Sequence, residues 1–140
     1  MSIWTHAAGT VRVDGLDRDL SWDEVFGKVL RYGDGEAWEE LDKNPEAFMP
    51  FGSEGSLERS VWENPDECCL ASYTVSVFGD LRDYDDIDAV LDWFEGACKK
   101  LWVRNAVLEV ECETGRSAVA YWNDEKEELV RHYFNLYESK

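Results

Sequence analysis

The chain has 140 residues, enough for one domain spanning 1–140 with a substantial core. Its 31 acidic and 14 basic residues leave a formal net charge of −17. That charge opposes direct binding to nucleic acid or an anionic membrane, because phosphates would be repelled. A hydrophobic content of 44% with seven Trp excludes a disordered chain.

Met1-Ser2-Ile3-Trp4-Thr5-His6 carries neither a basic n-region nor an apolar h-region, so no secretory signal is expected. No apolar run approaches the roughly 20 residues of a membrane span. Cys68, Cys69, Cys98 and Cys112 contain no C-x-x-C pair, and Cys98 and Cys112 fall on expected core faces. Reduced, buried thiols in a cytoplasmic protein are the expectation.

In chain order, residues 3–13 hold a first strand, clearest from Ala8 to Val13. Asp14-Gly15-Leu16-Asp17-Arg18-Asp19 reads as a turn. Ser21 and Glu24 form a capping box for a short helix whose apolar stripe is Trp22, Val25, Phe26, Val29 and Leu30. Residues 34–55 are weakly patterned. Within them Met49-Pro50-Phe51-Gly52-Ser53-Glu54-Gly55 is irregular, the kind of loop that often carries function. Leu57 to Glu63 reads as a strand, joined through Asn64-Pro65-Asp66-Glu67 to a second at 70–78, a hairpin.

Tyr73, Val75 and Val77 alternate with Thr74, Ser76 and Phe78, and from Asp85 the period lengthens. Ile87, Val90, Leu91, Phe94, Ala97, Cys98 and Leu101 then share one helical face. Acids at its start and Lys99 and Lys100 at its end match the helix dipole. Ala106, Leu108, Val110 and Cys112 form the apolar face of a following strand, with Glu109, Glu111 and Glu113 on the other. A turn at 113–116 leads to a further strand, Ser117 to Trp122. Leu129, Val130, Tyr133, Phe134 and Tyr137 predict a last helix capped by Asn123 or Asp124, with a strand as the competing assignment because Tyr and Phe favour both.

The first six elements run β, α, β, β, α, β. The expected class is therefore α+β, a ferredoxin-like split βαβ with an antiparallel sheet and two helices on one face. The extra C-terminal strand should extend one edge by pairing with 106–113, and the final helix follows it.

Gly52-Ser53-Glu54-Gly55-Ser56-Leu57, Val61-Trp62-Glu63-Asn64-Pro65, Tyr73-Thr74-Val75 and Phe78-Gly79-Asp80-Leu81-Arg82-Asp83-Tyr84-Asp85 resemble a family of small uncharacterised proteins. These are encoded by phages, prophages and mobile elements of Gram-positive gut bacteria. The opening Trp4-Thr5-His6-x-x-Gly9-x-Val11-x-Val13 is similar to their usual start. The resemblance implies a mobile-element origin and the bacterial cytoplasm. It carries no functional residue.

No catalytic or metal-ligating set emerges, and no cofactor is expected. His6 and His132 have no Cys or carboxylate at ligand spacing, and the glycines form no phosphate-binding motif. The acid runs around Asp14–Asp19 and Asp83–Asp86 lack the twelve-residue calcium loop. Binding candidates remain. Glu109, Glu111 and Glu113 place carboxylates about 6.6–6.8 Å apart along one strand face, a row able to mimic nucleic-acid phosphates. Asp83, Asp85 and Asp86 add charge at the start of the central helix. Trp62 and Trp122 lie on strands and would form a contact surface if one sheet face lacks helical cover. These features point to a non-catalytic partner of a basic host protein, with a homodimer or a carboxylate-dependent hydrolase as alternatives.

Overall fold

The computed structural model describes residues 2–17, 49–63, 70–101 and 103–135. Strand β1 (Trp4–Asp17) is followed by β2 (Glu58–Glu63) and β3 (Leu70–Arg82). Helix α1 (Ile87–Lys100) leads to β4 (Val103–Cys112), β5 (Arg116–Asn123) and β6 (Glu128–Asn135). The class is α+β: one six-stranded sheet, every adjacent pair antiparallel, in the order β2-β3-β1-β4-β5-β6. β1 lies between β3 and β4, so these two strands, joined through α1, run the same way without touching.

Alternation decides the two sheet faces. On β1, Thr5, Ala7, Val11 and Val13 point to the core; Tyr73, Val75, Val77 and Leu81 of β3 and Ala106, Leu108, Val110 and Cys112 of β4 join them. α1 covers this face with Ile87, Val90, Leu91, Phe94, Ala97 and Cys98, as its 3.6-residue period anticipates. Trp93, at the edge of that stripe, is buried too. The Asp86 carboxylate caps the helix by accepting from Ala89 N–H at 3.0 Å. Among the described residues no helix is long and apolar enough to cross a membrane.

The helix also grips β5 and β6 through polar groups. Glu95 accepts from Leu129 N–H at 2.8 Å, and Arg131 reaches Asp92 at 2.7 Å and Glu95 at 3.3 Å. Tyr133 donates its hydroxyl proton to Asp88 at 2.6 Å, and Arg116 pairs with the same carboxylate at 2.9 Å.

Three expectations change. The strand expected at 70–78 runs on to Arg82, because β1 continues its ladder through Ala7↔Gly79 to Trp4↔Arg82. The turn expected at 14–19 is strand as far as Asp17: pairing continues to Leu16↔Ala71 and Asp17↔Leu70, and the Asp14–Gly15 step is absorbed as a bulge between Val13 and Leu16. The final helix is instead β6. Asn123 does accept a cap-like bond from Lys126 N–H at 3.1 Å, but this closes a turn, with Glu127 at φ 51°. The apolar residues then split between faces, Leu129 inward and Val130 and Phe134 outward, because the open edge of β5 offers eight residues a ladder to complete. The helix expected at 21–30, the 34–48 part of the weakly patterned segment and the Asn64–Glu67 turn lie outside the described residues.

The loop before β2 is ordered against the end of β3. Ser53 N–H donates to Arg82 O, Arg82 N–H to Glu54 O, and the Arg82 guanidinium meets Glu54 at 2.7 Å. Gly55 has φ 78°, and a Cβ there would lie 2.3 Å from Asp80 O. Gly55→Ala is expected to lower stability by more than about 1 kcal/mol, since left-handed backbone and a carbonyl clash combine. Gly96→Ala, on α1 with open space around its Cβ position, should raise it by about 0.5–1 kcal/mol. Urea midpoints of the two variants check both signs.

The Tyr133 hydroxyl holds the Asp88 carboxyl below its ordinary range, aided by Arg116 against a smaller desolvation penalty. A carboxyl depressed in the folded state contributes fully above its unfolded pKa of about 3.9 and loses that contribution as pH falls through the folded value. The stability gap between wild type and Asp88→Asn should therefore be widest at neutral pH and close below about pH 4. A gap independent of pH in urea titrations would remove the pairing from the account.

Candidate interaction surface

The sheet face opposite α1 carries the sequence-predicted carboxylates, and register sets its rows. One row reads Asp80–His6–Glu111–Ser117–Phe134 from β3 to β6, and the next Phe78–Ala8–Glu109–Val119–His132. The third is Ser76–Thr10–Val107–Tyr121–Val130. Phe78, Val107, Tyr121 and Phe134 are all exposed. The Tyr121 and His132 rings stack diagonally at 5.9 Å and 22°. Trp62, on β2 opposite Thr74, stands 55% exposed at the edge of the same face.

Small side chains on β1 open a recess of about 400 Å³ in this surface, floored by Ala8. Phe78, His6 and Asp80 line one side, Glu109 and Glu111 the other. His6 Nδ1 and Asp80 Oδ1 are 2.5 Å apart. Glu109 and Glu111 have no ion pair with any described residue.

The remaining candidates separate. Glu113 follows the end of β4 in the turn, and its carboxylate accepts from Trp4 N–H at 2.9 Å. The row of three glutamates thus narrows to two on the face, with the third at the sheet's end. Asp83 and Asp85 lie at that same end beside Ile3 and Tyr84. Asp83 accepts from Ser53 Oγ at 2.6 Å, while Asp86 is occupied as the helix cap. Trp122 leaves the surface altogether: it points to the helix side and is 8% exposed. Strand alternation pairs it with Leu129 and makes Tyr121 the outward aromatic.

Phe78, Asp80, Val107, Tyr121, His132 and Phe134 are surface residues that sequence reasoning missed. Phe78 alternates visibly with Val77, and Tyr121 with Trp122, so period-two counting alone could have found both. His132 and Phe134 were hidden by the helical assignment.

A second concavity, about 660 Å³, sits at the C-terminal end of α1 against Leu101, Val103 and Trp122. Cys98 lines it, but burial, with a smaller push from Glu95, raises this thiol to about 12. It stays protonated near neutrality and is a poor nucleophile. Among the described residues no three His, Cys, Asp or Glu side chains are grouped to hold a metal. The chain matches no protein-family model, no curated protein and no solved structure.

Proposed function

We propose that this is a non-catalytic binding protein whose sheet face opposite α1 engages a basic partner protein. One observation carries the reading: exposed Phe78, Val107, Tyr121 and Phe134 surround the carboxylates Asp80, Glu109 and Glu111 on one continuous surface. Aromatics supply contact energy when water is excluded, and carboxylates steer a cationic partner and fix its register. A net charge of −17 extends that steering over the whole molecule. A second copy of the chain would suit the aromatics but would bring like carboxylates together, so a basic protein is the better match.

The resemblance to mobile-element proteins supports a host protein as the partner, engaged or inhibited by occlusion. Glu109 and Glu111 are spaced to imitate successive phosphates, and Glu113 and Asp83 prolong the acidic track past the end of the sheet. A host protein with a nucleic-acid groove is one partner of this chemistry. The strand order β2-β3-β1-β4 with α1 between β3 and β4 also supports a ferredoxin-like unit, extended by the β5–β6 hairpin.

Replacing Glu109 and Glu111 by Lys should reduce binding to the basic partner at least about tenfold, because two rim charges change sign. The wild-type affinity should fall steeply between 50 and about 300 mM salt as screening grows. The far-ultraviolet spectrum and urea midpoint should stay near wild type, since both residues are exposed. Binding that survives reversal and salt together would contradict the proposal.

A further inference from the structure

The recess over β1 offers different cations different amounts. Its floor is Ala8, so neighbouring side chains stand above it as two walls. Phe78 and Glu109 flank Ala8 in the same row. Their strands are two ladder spacings apart, about 10 Å, which leaves a slot one side chain wide. On one wall the exposed Phe78 ring stands beside Asp80, whose carboxylate is held by His6 at 2.5 Å. On the other wall Glu109 and Glu111 follow each other along β4, about 6.6–6.8 Å apart.

A planar guanidinium can lie against an aromatic face while its edge donates to carboxylates in a forked geometry. A lysine ammonium is a compact, strongly hydrated charge that uses the carboxylates but gains less from the ring. Val107 and Tyr121 continue from the recess along the next row, giving apolar cover for residues flanking the bound side chain.

Resting on the binding role proposed above, we infer that the recess is an arginine site. It seats the guanidinium of an extended basic segment of the partner between Phe78 and the Glu109–Glu111 pair.

The test titrates the whole protein with a tri-arginine and a tri-lysine peptide, followed by NMR shifts and calorimetry. Tri-arginine should bind at least about fivefold more tightly, moving resonances of Phe78, Glu109 and Glu111. Phe78→Leu should erase that preference while leaving the charge-driven binding both peptides share. Glu109→Gln with Glu111→Gln should abolish binding of both. Equal affinities that still require the two glutamates would overturn the arginine site and leave the broader binding role standing. A preference untouched by Phe78→Leu also overturns the site. Failure of either peptide to move any resonance on this face removes both readings.

Discussion

The structure depends on β1 being zipped into the sheet on both sides. It pairs with β3 from Trp4 to Asp17 and with β4 from Thr5 to Val13, so it sets the register of both strands. Its residues are small where this matters. A Cβ on Gly9 would lie 2.3 Å from Val107 O and 2.9 Å from the Leu108 side chain, so only glycine lets β4 close in. Thr5, fully buried, keeps its hydroxyl satisfied by donating to Tyr84 O, which ties the start of β1 to the segment entering α1. The same economy of side chain has a consequence on the other face, where Ala8 leaves the recess between Phe78 and Glu109. One constraint thus produces both the close-packed core and the concavity available to a ligand.

Charge is partitioned between the two faces of the sheet. On the α1 side, Asp88, Asp92 and Glu95 are consumed by Arg116, Arg131, Tyr133 and the β6 backbone, so these acids hold the outer hairpin in place. On the open side, Glu109 and Glu111 meet no described cation, and Asp80 meets only His6. Acidity on one side therefore serves the fold, and on the other it is available to a partner. Total charge cannot make that distinction, because it depends on which acids the register brings against arginines.

Strands β2 to β5 and α1 were legible because their periods are unambiguous: two residues through Tyr73–Val77 and Ala106–Cys112, then 3.6 through Ile87–Leu101. β6 was not, because Leu129, Val130, Tyr133 and Phe134 fit a helical stripe as well as two strand faces, and only the free edge of β5 decides between them. The end of β1 misled for a related reason. Asp14 and Gly15 are turn residues by composition, and long-range pairing to β3 makes them a bulge. The glutamate pair of the surface was readable from alternation, whereas the recess was not. It exists only because register sets Ala8 between Phe78 and Glu109, residues some 70 and 100 positions away in sequence.

Tyr121 and Tyr133 give the central claim a built-in control. Both are 46% exposed, yet Tyr121 stands on the open face and Tyr133 on the helix side, its hydroxyl on Asp88. Hydroxyl-radical footprinting of the whole protein, with and without a saturating oligo-arginine peptide, reads the two rings in one experiment. If the open face is the binding surface, the peptide protects Tyr121 and leaves Tyr133 oxidised at its free rate. Equal protection of both rings, or protection of Tyr133 alone, would contradict the account.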